Sequence, residues 1–113
     1  MMESTSLAGL TEQHLAIARQ APNGRSAHTV HGGHTKTLRQ TLIALAGGQR
    51  LDEHESPGEA TLQVLHGHVR LLAGAEEQSG ASGDLLTIPG RRHSLEAVHD
   101  SVVLLTVVKT DQQ

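Results

Sequence analysis

The 113-residue sequence contains no Phe, Tyr or Trp and no Cys. Because aromatic rings are absent, a hydrophobic core has to be built from Leu, Val, Ile and Ala, and a platform that stacks the bases of single-stranded nucleic acid is excluded. Because cysteine is absent, the chain has no disulfide framework, no thiolate metal site and no catalytic thiol. A chain of this length supports one hydrophobic core, and we therefore expect one domain.

Cationic residues and long apolar runs are also scarce. Nine Lys and Arg stand against twelve Asp and Glu, giving a formal net charge of −3, and the cationic residues are not concentrated as they are in nucleic-acid binders. Apolar runs such as residues 102–105 fall far below the ~20 residues of a membrane-spanning helix. The N-terminal region has no basic segment followed by an apolar one, as a secretory signal would require. We expect a cytoplasmic protein that binds neither nucleic acid nor a membrane.

Histidine, by contrast, is abundant. Its unperturbed pKa of about 6.5 lies nearest neutral pH, and it is the commonest metal ligand, so its position along the chain decides what it does. The nine histidines are His14, His28, His31, His34, His54, His66, His68, His93 and His99.

The N-terminal part of the chain has helical periodicity. Apolar residues between Leu10 and Ala18 alternate with polar ones at the spacing of a short amphipathic helix, with Thr11 as its N-cap and a stop at residues 21–24. We interpret residues 1–25 as a helical arm and residues 26–113 as a single domain.

Beyond this arm the apolar residues follow the period of two that is typical of strands. A strand is predicted over residues 37–46. Glycine or proline turns separate further short segments of strand character, and no helical segment lies between them. This pattern favours an all-β antiparallel sandwich or small barrel. The further predicted strands lie near residues 60–65, 68–73, 85–88, 94–98 and 101–109.

Two segments of the β region share a pattern of glycine, proline and histidine. Their marker residues, in order, are Gly48, His54 and Gly67 in the first segment and Gly83, Pro89, Gly90 and His93 in the second. Together the segments and their linker cover residues 48–97 and resemble the two sequence motifs of the cupin family. The resemblance implies a cupin-type antiparallel jelly-roll barrel with a short N-terminal helix.

The resemblance also shows where metal ligands would lie. In metal-binding cupins, four ligand positions correspond here to His54, Ser56, Ala60 and His93, so two of the four are occupied by residues that do not match the family ligands. Residues two apart on a strand share a face, so Glu59 could replace the missing carboxylate only if a bulge at residues 57–58 shifts the register. A divalent transition metal held by His54, His93 and Glu59 is therefore an alternative and not the main expectation.

The main expectation is a ligand cavity without a complete metal site. His54 and His93 would be its polar anchors, and Arg91 at the mouth could clamp a carboxylate or phosphate or be a solvated loop charge. Small side chains at the former ligand positions would leave room for part of a ligand. The predicted ligand-binding residues are His54, His93, Ser56, Ala60, Leu62, Val64 and Arg91.

The remaining histidine clusters favour simpler interpretations. His28, His31 and His34 are spaced by three, and a solvated loop with a turn at residues 31–34 is favoured over a metal site. His66 and His68 flank Gly67, as expected at an exposed hairpin tip.

The sequence leaves three functions open. The first is a cupin that binds a small molecule in the barrel cavity. The second is a metal-dependent enzyme, an oxygenase or isomerase, that uses His54 and His93. The third is a non-catalytic dimeric regulatory or interaction module. A homodimer is expected in addition, because unpaired strand edges and an exposed apolar face are normally covered. That apolar face is predicted at Ile43, Leu45, Leu65 and Leu71.

Overall fold

A computed structural model describes residues 2–55 and 58–109. Within these ranges one helix, α1 (Leu7–Gln20), precedes nine strands. The strands are β1 (Arg25–His31), β2 (Leu38–Leu45), β3 (Arg50–His54), β4 (Glu59–His66), β5 (His68–Ala73), β6 (Glu76–Ala81), β7 (Leu85–Thr87), β8 (His93–Ala97) and β9 (Ser101–Val108).

The strands form two antiparallel sheets that face each other. The five-stranded sheet has the order β1-β2-β9-β4-β7, and the four-stranded sheet has the order β3-β8-β5-β6. The predicted all-β class with an N-terminal helix is confirmed. Chain neighbours are often in different sheets, so β3 and β8 are brought side by side although four strands lie between them in the sequence.

The barrel core lies between the sheets and is entirely aliphatic. Strands β4 and β5 each turn alternate residues inward, as the period of two requires. Small and medium aliphatic side chains therefore fill the space that aromatic side chains occupy in many other cores. The buried core residues are Leu45, Ala60, Leu62, Val64, Val69, Leu71, Leu86, Ile88, Leu95, Ala97, Val103 and Val107.

Helix α1 covers the outer face of the five-stranded sheet. Its Leu15 and Ala18 are buried together with outward residues of β2 and β9, among them Leu42 and Val102. Both faces of β2 and β9 are therefore covered, one by the helix and one by the barrel core. This explains why β9 is an almost continuous apolar run instead of an alternating one.

The expected exposed apolar face does not exist in the described chain. Leu45 and Leu71 are buried in the barrel core, and Ile43 packs against that core. Leu65 packs against the cluster beneath α1. For β2 the prediction failed because both faces are covered, one by the helix and one by the core, and on β5 Leu71 is on the inward face and not on the outer one.

The helix begins earlier than predicted. Ser6 is its N-cap, with the Ser6 hydroxyl accepting a hydrogen bond from the Gly9 N–H, and Thr11 lies inside the helix. The helix ends at Gln20, immediately before the predicted stop. No helix in the described part of the chain is long and apolar enough to cross a membrane.

Two polar contacts fix the helix on the barrel. His14 is buried, with its Nδ1 2.6 Å from the Ser26 hydroxyl on β1. Arg19 donates to Asp100, which also accepts a hydrogen bond from the Gly47 N–H. The hydrogen bonds from Arg19 and from the Gly47 N–H hold the pKa of the Asp100 carboxyl below its ordinary value, and the Arg19 bond is the larger cause.

Three strands were not predicted from the sequence, namely β1, β3 and β6. All three are edge strands of their sheets and are largely exposed, so their sequences lack the apolar alternation that marks a half-buried strand. Consequently His28 and His31, expected in a loop, lie on β1, and only His34 lies in the turn that follows.

The turn between β4 and β5 consists of one glycine. Gly67 has a φ of +94°, a value that glycine adopts far more readily than other residues, and a Cβ there would overlap the Asp100 carbonyl oxygen. His66 and His68 flank this glycine, but the expected exposed hairpin tip is absent, because β4 and β5 belong to different sheets and His68 is half-buried. The close approach therefore favours glycine at position 67, where the chain passes from one sheet to the other.

Candidate functional site

The structure brings His54 and His93 together at one end of the barrel. His54 is the last residue of β3 and His93 the first of β8, and their Cα atoms are partners across the two strands. The ring centroids are 4.5 Å apart, and the ring planes make an angle of 64°. An irregularity in the register between Leu51 and His54 precedes this pair, as is frequent where a strand re-aims a side chain toward a site.

Both rings are held by the same kind of backbone hydrogen bond. Nδ1 of His54 lies 2.8 Å from the Asp52 carbonyl oxygen, and Nδ1 of His93 lies 2.8 Å from the Arg91 carbonyl oxygen. A carbonyl oxygen only accepts, so each Nδ1 carries the proton and donates. In the neutral rings Nε2 is therefore the unprotonated nitrogen, available as an acceptor, a base or a ligand.

The two histidines differ in solvent access. His93 is 4% exposed, whereas His54 is exposed. They form the polar end of a small cavity between the sheets, with a volume of about 30 Å³. Its other lining residues are aliphatic: Ile43, Leu51, Leu62, Leu71, Ile88, Leu95 and Leu105.

An ion-pair cluster lies beside the histidines. Arg92 is 3.1 Å from the Glu55 carboxylate and 3.4 Å from the Glu53 carboxylate, and it also donates to the Glu53 carbonyl oxygen. Hydrogen bonds to Glu55 and then Glu53 hold the pKa of Arg92 above its ordinary value. This cluster joins the end of β3 to the segment before β8. Because all three side chains are more than half exposed, it contributes little to the free energy of unfolding.

The other residues predicted to bind ligand are distributed differently from the expectation. Leu62 lines the cavity. Ala60 and Val64 face inward on the same strand and are buried in the barrel core. Arg91 lines a separate cleft, where it pairs with Glu76. Ser56 lies outside the described residues.

Glu59 does not replace the missing carboxylate ligand. Strand β4 runs in regular register with β9 from Glu59 to Val64, so no bulge shifts Glu59 inward there. Glu59 is exposed and alternates with buried Ala60, which places it on the opposite face of the sheet. The register shift that this alternative required is therefore absent from the described part of β4.

The donor set does not fit a complete protein metal site. His54 and His93 offer two Nε2 atoms, and a divalent site generally takes three or four protein ligands. Among residues 2–55 and 58–109, no group of three or more His, Cys, Asp or Glu is placed to hold a metal ion.

The pair can nevertheless interact with a polar ligand. Nδ1 of each ring is committed to a backbone carbonyl oxygen, so Nε2 is the nitrogen that can accept a hydrogen bond or a proton from a bound molecule.

Several residues lining the cavity were not identified from the sequence. Ile43, Leu51 and Leu105 contribute to its wall, and Ile43 and Leu105 occupy inward positions of predicted strands. Their alternation along the strand indicates that they point inward, but it does not show which of the inward residues line the cavity.

Comparison with known proteins identifies the fold. No protein-family model matches the chain, and no curated protein matches it. Among solved structures, a conserved protein of unknown function from Streptococcus pyogenes is 29% identical, with a TM-score of 0.71 over 81% of this chain and 80% of that protein.

Two further structures are similar at lower sequence identity. An RmlC-like cupin protein from Desulfovibrio desulfuricans is 23% identical, with a TM-score of 0.72 over 96% of this chain and 97% of that one. Salicylate 1,2-dioxygenase from Pseudaminobacter salicylatoxidans is 19% identical, with a TM-score of 0.72 over 88% of this chain but 33% of the dioxygenase. The chain is a small domain with the cupin fold.

Proposed function

We propose that this cupin domain binds a small molecule in the barrel cavity, with His54 and His93 as its polar anchors and without a complete protein metal site. The observation that carries the proposal is the convergence of two imidazoles on one aliphatic cavity. Binding sites of this kind combine apolar walls with a few convergent polar groups.

The hydrogen bonds of the two rings support a ligand-binding role over a purely structural one. Each Nδ1 is satisfied by a backbone carbonyl, so the fold needs nothing further from Nε2 of either ring. An atom that donates a hydrogen bond, such as a hydroxyl or a protonated carboxyl group, is the natural partner of a neutral Nε2. The ligand is therefore an uncharged or weakly acidic molecule.

The dimensions of the cavity limit the part of the ligand that enters it. A space of about 30 Å³ exceeds the ~10–15 Å³ needed for one water molecule but is far below the ~300 Å³ of a typical ligand pocket. We infer that a few non-hydrogen atoms of the ligand enter between the histidines and the leucines. The rest of the molecule extends past exposed His54.

Metal-dependent oxygenase or isomerase activity is a second candidate. Histidines that bind a metal through one nitrogen generally donate a hydrogen bond from the other nitrogen to a carbonyl or carboxylate, and Nδ1 of His54 and His93 makes such a bond. The similarity to the dioxygenase supports only the fold of this chain and not its activity. This candidate needs at least one ligand beyond His54 and His93, and the described residues do not supply it.

The test is to isolate the full chain without a histidine tag and to analyse it by native mass spectrometry and by elemental analysis for metals. We expect the wild type and His66→Ala, an exposed control, to retain a small organic molecule that His54→Ala loses. Equal retention by His54→Ala and His66→Ala would contradict the proposal. A stoichiometric metal that both His54→Ala and His93→Ala lose would favour the metal-dependent enzyme instead.

We also propose that the protein is a homodimer. Among the described residues, β1 and β7 are the edge strands of the five-stranded sheet, and sheet edges are normally covered. Leu38 on β2 and Leu85 on β7 are exposed apolar residues. Sedimentation at micromolar concentration would contradict this proposal if it gave the 12.0 kDa mass of one chain. A cytoplasmic location and the lack of nucleic-acid binding stay predictions.

A further inference from the structure

A second and larger cavity lies outside the histidine site. It is a cleft of about 350 Å³ between the β5-β6 hairpin and the segment that follows β7. Leu71 lines both this cleft and the histidine cavity and therefore separates them. Unlike the histidine cavity, the cleft has a volume within the range of small-molecule sites.

The floor of the cleft is apolar, and its rim is polar. Leu71 and Ala73 are each 5% exposed and form the floor. Their partners across the β5-β6 pair are Gln78 and Glu76, and directly opposed residues share a face of the sheet. Both polar side chains therefore lie on the side of the hairpin that carries the apolar floor.

Two opposite charges face each other at the rim. The Arg91 guanidinium donates to the Glu76 carboxylate, and their side chains are 51% and 80% exposed. Exposed ion pairs contribute little to stability because water solvates both partners well. The pair can therefore be separated by a ligand at small cost. Glu77 also borders the cleft, but its carboxylate is 3.9 Å from Arg70.

We propose that this cleft is a binding site for a small zwitterion with an aliphatic body, of the chemical class of the α-amino acids. The ligand carboxylate pairs with Arg91, the ligand ammonium group pairs with Glu76, and the aliphatic body covers Leu71 and Ala73. Each protein charge thereby exchanges its partner for a ligand group, and neither is left unpaired.

The same pair of charges disfavours singly charged ligands. A simple carboxylate on Arg91 would lie beside the negative charge of Glu76, and a simple amine on Glu76 would lie beside the positive charge of Arg91. Like charges held close together in this way repel each other. The site thus selects for a molecule with both charges, which distinguishes it from the uncharged or weakly acidic ligand of the histidine cavity.

Three probes with the same isobutyl group test the proposal: L-leucine, 4-methylpentanoate and 3-methylbutylamine. Each is titrated into the full chain while backbone amide chemical shifts are followed by NMR. We expect saturable shifts at Leu71, Ala73 and Glu76, and we expect leucine to bind about tenfold more tightly than either singly charged probe, as one added charge-assisted hydrogen bond gives.

Matched variants assign the two charges. Arg91→Gln should weaken leucine binding about tenfold, whereas Arg92→Gln, which removes the neighbouring arginine outside the cleft, should leave it unchanged. Glu76→Gln should weaken leucine binding and strengthen binding of 4-methylpentanoate, because the competing negative charge is gone. A misfolded Glu76→Gln variant would bind both probes more weakly, so weaker leucine binding together with stronger 4-methylpentanoate binding would not result from misfolding.

The outcomes separate this site from the histidine cavity. Leucine binding should be unchanged in His54→Ala, so failure of the histidine site would not affect it. Equal affinities for the three probes, the absence of saturable shifts with leucine, or shifts centred on His54 and His93 would each overturn the zwitterion site.

Discussion

His93 and His54 occupy partner positions on adjacent strands, yet one ring is buried and the other reaches solvent. Their Nδ1 atoms make equivalent bonds to the carbonyl oxygen two residues earlier in the chain. The backbone therefore fixes the tautomer of both rings, while access to Nε2 differs between them. A molecule arriving from solvent meets His54 first.

This geometry predicts the tautomer of both rings. At about pH 9, above the ordinary histidine pKa of about 6.5, nitrogen NMR spectra should show protonated Nδ1 and unprotonated Nε2 for His54 and His93. His34, in an exposed turn, is the control and should show the mixture of a solvated ring. A protonated Nε2 in either neutral ring of the pair would contradict the assignment.

Helix docking predicts a contrast between two neighbouring apolar residues. Leu15→Ala should lower the free energy of unfolding by about 2–5 kcal/mol, because it leaves a cavity beneath the helix. Ile17→Ala should cost less than about 1 kcal/mol, since Leu15 is 6% exposed and Ile17 is 45% exposed. Urea unfolding measures both values, and equal losses would contradict the observed helix orientation.

Two glycines with similar backbone angles predict different costs for alanine. Gly67 and Gly83 have φ values of +94° and +95°, so Ala costs about 1–2 kcal/mol at either position from backbone strain. Only at Gly67 would the new Cβ meet the Asp100 carbonyl oxygen, raising the cost to about 3 kcal/mol or more. Thermal and urea unfolding of both variants should show this difference, and similar stabilities would contradict the close approach of Gly67 to the Asp100 carbonyl oxygen.

The Asp100 contacts predict a pH-dependent stability. Because the folded-state pKa of Asp100 is lowered, its contribution is present above the ordinary carboxyl pKa and is lost as pH falls through the lower folded value. Asp100→Asn should therefore be less stable than wild type at about pH 7 and closer to wild type at about pH 3. Glu3→Gln, an exposed control, should differ little from wild type at both values. A constant difference between Asp100→Asn and wild type would contradict the Arg19 and Gly47 contacts as its source.

Strands with at least one buried face could be predicted from the sequence. Strand β5 was predicted at its observed bounds, and β2, β4 and β9 within a few residues, because their apolar residues contact the core. The positions of His54 and His93 came from the resemblance, since no local pattern indicates that residues on β3 and β8 become neighbours.

The remaining features depend on tertiary contacts that leave little local trace. Strands β1, β3 and β6 are stabilised by pairing along one edge, and their exposed side chains carry no apolar period. The Arg91–Glu76 pair depends on how the β5-β6 hairpin approaches the segment before β8. The outward direction of Glu59 agrees with the alternation of the sequence, but the absence of a register shift on β4 could be read only from its pairing with β9.

Helix α1 is part of the hydrophobic interior of the molecule, and this affects where the chain can be cut. A fragment that starts at Arg25 would keep every strand but would open to water a wall made of Leu42, Ala44, Val102 and Leu104. Such a wall is a site of aggregation in a soluble fragment. Any attempt to reduce this protein to a minimal barrel must therefore retain the helix or replace that wall with polar side chains.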